Sequence, residues 1–219
     1  ERVGVGESWA ERTLDELGSL ALLTHAYRRL DQLEPRLAAD VRRLVGYSLD
    51  QSEIVAHGDI VEDDWTLLAE VTFEEEHLRM QRAWLRGETS ARAAMILQFA
   101  AGPTGRFPEA LLAGTHFRAR LAFWPSAHPQ RALIAERRGS SESVAAAPTG
   151  TSLSECLDRF AASLAKVPWL ERELFVLERV VPVAVEASAG APSYVVVDDH
   201  EQWWEVQVEQ RLNATGLFE

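Results

Sequence analysis

The amino-acid sequence predicts an α+β protein with an N-terminal helical hairpin, a central antiparallel barrel-like sheet and a smaller C-terminal α/β region. Three observations carry this. Apolar residues recur at spacings of three and four near the N-terminus, then switch to alternation around Trp65, and a Ser, Ala, Pro and Gly-rich stretch follows between Gly139 and Gly150. With 219 residues, 47% hydrophobic and 26% charged, the chain is long enough for one sizeable core or two small ones.

From Thr13 to Leu33, the residues Leu14, Leu17, Leu20, Ala21, Leu23, Tyr27 and Leu30 keep helical period, which predicts a helix burying one broad face. Pro35 interrupts it. Arg36 to Val45 predicts a shorter second helix with Leu37, Val41 and Leu44 inward and Gly46 suited to its C-terminal cap. Trp65, Leu67, Ala69, Val71 and Phe73 then alternate with Thr66, Glu70 and Thr72, the pattern of a strand with one buried face. Leu78 to Leu85 is its hairpin partner, with Glu74, Glu75 and Glu76 at the turn. Further strands are predicted over Ala93 to Phe99, Phe117 to Trp124 and Arg131 to Arg137. Gly102, Pro103 and Gly105, then Pro125 and Pro129, punctuate them into a meander.

After the Ser- and Ala-rich stretch, Ser152 with Glu155 forms a capping box for a helix whose stripe is Leu153, Cys156, Leu157, Phe160 and Leu164, ending near Pro168. Leu174 to Val185, Tyr194 to Val197 and Trp203 to Val208 return to strand-rich sequence. The expected organisation is a helical segment 1–48, an antiparallel β region 60–138, a linker 139–150 and a C-terminal helix plus β region 151–219.

A formal charge of −12 disfavours nonspecific attraction to phosphate backbones or anionic lipid. One cysteine, Cys156, excludes an internal disulfide and cannot by itself supply a thiolate zinc site. No run approaches the roughly 18 to 20 apolar residues of a spanning helix, and the N-terminus lacks a signal-peptide pattern. The expectation is a cytoplasmic protein without membrane contact. The chain begins at Glu1 rather than Met, which reads as a fragment, and Gly4 and Gly6 lack the third glycine of a dinucleotide fingerprint.

Chemical candidates are few. The six histidines form no close ligand pair, and Asp198-Asp199-His200-Glu201 offers the best local metal-binding set, weighed against a solvated acidic turn. Glu74 to Glu76 with His77 invites an acid/base reading but reads more simply as a charged hairpin turn. Cys156 lies on an apolar stripe, as a buried structural thiol does. No residue is nominated as catalytic or as a metal ligand, no cofactor is expected in this chain, and it is not expected to be an enzyme.

The most informative pattern is charge segregation. His77 to Arg138 holds ten arginines and three acidic residues, a formal +7, leaving −19 elsewhere. Arg79, Arg82, Arg86, Arg118 and Arg120, with Trp84 and Trp124, form a candidate nucleic-acid surface in which arginines track phosphates and aromatics stack on bases. The bland alternative is a sheet decorated by cross-strand Arg and Glu pairs. A nucleic-acid surface requires a continuous basic face. A protein-interaction region instead requires the arginines to pair with Glu70 or Glu74 to Glu76, with an apolar or acidic patch left over.

Several strings resemble the region downstream of the zinc finger in bacterial SWIM-type proteins: Ala26-Tyr27-Arg28-Arg29-Leu30-Asp31-Gln32-Leu33, Asp40-Val41-Arg42-Arg43-Leu44-Val45-Gly46-Tyr47, and Asp63-Asp64-Trp65. Glu74-Glu75-Glu76, Leu78-Arg79, Gln81-Arg82, Trp84-Leu85 and Phe123-Trp124-Pro125-Ser126-Ala127 follow in the same order, so the likeness spans about Ala26 to Leu133. The resemblance implies a Cys-x-Cys and Cys-x-His zinc finger, whose ligands this sequence lacks, so that the finger either belongs to a segment outside it or was never carried by a divergent member. It also implies binding to nucleic acid or protein, with MoxR-type ATPases and von Willebrand A proteins as associated partners. The expected role is a protein-interaction or scaffold region, with nucleic-acid binding as the alternative.

Overall fold

The computed structural model describes residues 9–75, 78–102, 105–146, 148–185 and 193–206. Four α-helices, α1 (Trp9–Tyr27), α2 (Pro35–Leu44), α3 (Gln51–His57) and α4 (Leu153–Lys166), accompany eight strands. Five of these, β1 (Asp59–Glu75), β2 (Leu78–Gly87), β3 (Ala93–Ala101), β4 (Thr115–Phe123) and β5 (Arg131–Ser143), close a barrel. The others, β6 (Val180–Val185), β7 (Ser193–Asp198) and β8 (Trp203–Val206), form a separate sheet. The chain divides into two compact units, Glu1–Ala146 with Ser163–Arg172, and Ala147–Ala162 with Glu173–Glu219.

Pro35 does more than interrupt a helix. It occupies the first turn of α2, where its missing N–H costs nothing, while the Glu34 carboxylate accepts from the backbone N–H of Arg36 and Leu37 at 3.0 and 3.1 Å. At the other end Gly46 adopts φ +100°, and the N–H groups of Gly46 and Tyr47 return to the carbonyls of Arg43 and Arg42, closing a Schellman motif. Helix α3 was not predicted. Its seven residues bury only Ile54, too little to display a period.

The expectation that α1 buries one broad face is overturned. Only Ala26 is buried, while Leu14, Leu17 and Leu20 are 71%, 59% and 60% exposed. The helical period is real, but the contacts α1 makes with α2, and the bond from Trp169 Nε1 to the Ser19 carbonyl at 3.2 Å, leave these leucines exposed.

The barrel runs β1-β2-β3-β5-β4, all neighbours antiparallel except a short parallel β3–β5 seam at Met95 and Ile96 against Arg131 and Ala132. This corrects the expected meander, because β4 returns beside β1 instead of following β3. The result is a five-stranded Greek-key barrel, the architecture of the OB-fold. Trp65, Leu67, Leu85, Leu121 and Phe123 fill it, each such aliphatic or Phe side chain contributing roughly 1.5–3 kcal/mol. Trp65 Nε1 donates to the Ala119 carbonyl at 3.1 Å, so the indole is buried with its one donor satisfied.

The simple alternation predicted for β1 also fails, at a bulge between Leu67 and Ala69. Beyond it Glu70 and Thr72, not Ala69, Val71 and Phe73, share the face of the interior residues Ala83 and Gln81 across the β2 register. Glu70 accepts from Gln81 Nε2 at 2.8 Å. Gln81 and Gln98, both buried, then bond one another and the backbone of Glu109 and Leu111, drawing the β3–β4 connection over one end of the barrel.

The linker expected at 139–150 begins too early. Gly139 to Ser143 belong to β5, and Gly139 at φ +76° sits where two extra residues bulge opposite Phe117. In the C-terminal unit Ser152 Oγ accepts from Glu155 N at 3.3 Å as the capping box requires. The strand expected from Leu174 forms only from Val180, residues 207–208 lie outside the described residues, and β6, β7 and β8 pair antiparallel in sequence order.

Candidate functional site

Register decides what most of the arginines do. It sets Asp64 opposite Arg118, Glu62 opposite Arg120, and Arg120 opposite Glu136. Arg118 bridges Glu62 and Asp64 at 3.1 and 2.9 Å. Arg138 bridges Glu62 and Glu136 at 3.0 Å each, and Arg120 reaches Glu136 at 3.4 Å. Hydrogen bonds from Arg138 and then Arg120 hold the Glu136 carboxyl below its ordinary range. Arg137 is likewise paired, with Glu109 at 2.9 Å, and lies over the Phe117 ring. Arg118 and Arg120 thus sit in ion pairs and do not contribute to a continuous basic face. The pairing carboxylates are Glu62, Asp64, Glu109 and Glu136. Glu70 bonds Gln81, and the side chains of Glu74 to Glu76 lie outside the described residues.

The remaining sequence candidates divide. Arg79 donates to the Gly105 carbonyl at 3.2 Å and covers Phe107, so it ties down the β3–β4 connection. Arg82 stacks over Phe73, which the β1 bulge has turned outward. Trp84, Arg82, Trp124 and Arg131 line one cavity of about 230 Å³, together with Arg43, His128, Asp40 and Glu171. Arg86 is not among its lining residues. Of the seven candidates, Arg82, Trp84 and Trp124 are therefore brought together.

Sequence reasoning missed Arg42 and Arg43 as site residues and left Arg131 out of the candidate set. A second cavity, of about 530 Å³, is lined by Arg42, Arg43, Tyr47, Leu49, Trp124, Pro125 and Arg131 among others, so Arg43, Trp124 and Arg131 belong to both. The Arg131 guanidinium lies 4.4 Å from the Trp124 ring centre. Burial, then repulsion by Arg43, lowers its pKa. Asp40, a fully buried carboxylate on α2 that lines the first cavity, accepts from Ser126 Oγ at 3.0 Å and Ala127 N at 2.8 Å and so joins α2 to the β4–β5 connection. The usable signal was that two family-like strings, one around Asp40 and one ending Pro125-Ser126-Ala127, meet through that carboxylate.

Asp198, Asp199 and His200 bring ligand atoms within 4.8 Å of one another, but each carboxylate is already engaged. Asp198 Oδ1 accepts from the N–H of His200 and Gln202, and Asp199 pairs with Arg179 and His200. The set is a self-satisfied turn. Cys156 is fully buried, 3.0 Å from Thr151 Oγ1. Glu76 and His77 lie outside the described residues.

Fold and surface together define an α+β chain organised round a closed barrel with a basic, aromatic-lined concavity at its β4–β5 connection. Residues 1–45 match the SWIM-associated four-helix bundle domain, which supports a SWIM-family protein as the resemblance implied. That span overlaps the quoted strings only over Ala26 to Val45. No curated protein and no solved structure matches the chain. Among the described residues no helix is long and apolar enough to cross a membrane.

Proposed function

We propose that this chain is a non-catalytic protein-interaction region of a SWIM-type protein, docking an apolar helical surface of its partner on α1. The carrying observation is the exposure of Leu14, Leu17 and Leu20 along one side of a helix whose period is that of a buried element. The similarity of residues 1–45 to a four-helix bundle domain supports a helical occupant, because bundle helices cover such stripes with one another and this span carries α1 and α2. The ion pairing of Arg118, Arg120, Arg137 and Arg138 supports it too, since those cations are already matched within the chain.

The partner expected from the family resemblance is a MoxR-type ATPase or von Willebrand A protein. Biolayer interferometry against each purified protein tests this, comparing wild type with the Leu17→Glu, Leu20→Glu double variant. The expected result is binding that the variant weakens at least about tenfold, the loss of one interface hot spot. Its stability should stay within about 0.5 kcal/mol, because both positions are exposed. Absence of wild-type binding to either protein overturns the ATPase-assembly reading, and equal binding of the variant overturns the α1 face.

A second reading has its own observation. Arg82, Trp84, Trp124 and Arg131 line one groove where β2 meets the β4–β5 connection, and in barrels of this architecture that region takes single strands. That argument is fold-level analogy. Anisotropy with single-stranded DNA and RNA across a salt series decides it: the reading needs binding that weakens as salt rises and is lost in Arg82→Met.

A further inference from the structure

We infer that the cavity between α2, α3 and the β4–β5 connection binds the phosphate of a nucleotide. The inference is independent of protein docking on α1. Three arginines, Arg42, Arg43 and Arg131, line this space of about 530 Å³, and none of its lining residues is acidic. The volume falls in the usual range for small-ligand sites, and Tyr47, Leu49, Trp124 and Pro125 give it the apolar and aromatic wall that a flat base requires.

Three features point to an anion. Arg131 is partly buried, and among the described residues no carboxylate lies within ion-pair distance of it, whereas Arg118, Arg120, Arg137 and Arg138 are all matched. It is held over Trp124, 4.4 Å from the ring centre, in a fixed orientation. Burial, and then the field of a second cation, Arg43, which lines the same cavity, both disfavour its charged form. A concavity that brings like charges together gains when an anion enters.

Charge balance selects the kind of anion. Two carboxylates, Asp40 and Glu171, line the adjoining cavity that shares Arg43 and Arg131, where Arg82 and Arg172 also lie; of these Asp40 lies 3.5 Å from Arg43 and is otherwise committed to Ser126 and Ala127. Three guanidinium groups less one carboxylate leave two positive charges. A phosphomonoester carries about −1.5 to −2 near neutral pH and matches this, whereas a carboxylate carries half as much. Guanidinium forks also meet phosphate oxygens bidentately. The C-terminal end of α2, at Arg42 and Arg43, carries the negative pole of the helix, which opposes an anion but falls off within that turn. Tyr47 Oη, 3.2 Å from Tyr27 Oη, is positioned from outside the cavity, leaving its ring as the exposed platform for a base.

Isothermal titration calorimetry of the whole chain with AMP, adenosine and inorganic phosphate tests this. The expected result is saturable AMP binding at least about tenfold tighter than adenosine or phosphate alone, weakened about tenfold or more by Arg131→Met. Arg42→Met is the second variant, because Arg42 is exposed and its loss should leave folding intact. Arg118→Met, outside the cavity, should bind as wild type does. A 5′-phosphorylated dinucleotide competing with AMP would identify a strand end as the source of the phosphate, and its failure to compete would identify the free nucleotide. Equal binding of AMP and adenosine, equal binding of AMP and inorganic phosphate, or undiminished binding by both Arg42→Met and Arg131→Met overturns the proposal.

Discussion

At the residue scale, Asp63 shows how one side chain fixes a stretch of backbone. Its carboxylate, 3% exposed, accepts from the N–H groups of Asp64, Thr89 and Ser90 at 2.8, 3.1 and 2.7 Å, so it holds the β2–β3 turn against β1. Burial pushes its pKa up, but the hydrogen bonds from Ser90, Thr89 and Asp64 together outweigh that, and the net shift is downward. A carboxyl depressed in the folded state contributes stability that is present above its unfolded pKa, near 3.9, and is lost as pH falls through the folded value. Asp63→Asn should therefore cost about 2 kcal/mol at pH 7 in urea unfolding, because an amide can satisfy fewer of the three donors. The difference from wild type should shrink as pH drops below about 4. A pH-independent difference would mean that the cost is packing and not charge. Asp40 likewise joins two elements, accepting from Ser126 Oγ and Ala127 N to hold α2 against the β4–β5 connection.

At the element scale, what was legible was what repeats. Strand-rich composition and turn signals marked β2, β4 and β5, and inward residues such as Ala83 and Leu85 or Ala119 and Leu121 share one face of β2 and β4. The period of α1 was equally plain, yet period reports which side of a helix is apolar and not whether this chain covers it. The β1 bulge was invisible, since Leu67 to Phe73 contains no Gly or Pro to announce an extra residue. The site was less legible than the fold because Arg42 and Arg131 are far apart in sequence and meet only through the Asp40 contact. The bulge makes its own prediction. Leu68 is the residue left unpaired between the Leu67 and Ala69 partners, so deleting it should remove the bulge while Ala69 stays opposite Trp84 and Glu70 opposite Ala83, with Glu70 still inward, Phe73 still outward and the bond to Gln81 kept. The expected cost is about 1 kcal/mol in urea unfolding, the loss of one half-buried side chain. A loss above about 3 kcal/mol would show instead that the bulge itself shapes the barrel.

At the scale of the whole molecule, the question is why a chain of charge −12 carries a +7 block from His77 to Arg138 and pairs part of it with carboxylates across the barrel. The strip Arg118, Glu62, Arg138, Glu136 and Arg120 crosses β1, β4 and β5 as one alternating network. Exposed pairs of this kind stabilise by at most about 1 kcal/mol each, so their main effect is on the surface field and not on folding. Removing the two shared anions tests that. Glu62→Gln with Glu136→Gln changes the total only from −12 to −10, but leaves Arg118 with Asp64 alone and Arg120 and Arg138 without these partners. If local pairing suppresses phosphate attraction, the double variant should gain nonspecific affinity for double-stranded DNA at about 50 mM salt, measured by anisotropy, and lose it again by about 200 mM. Wild type should bind that duplex weakly at both. If the net charge governs instead, a change of two charges in twelve will not be felt, and variant and wild type will bind alike.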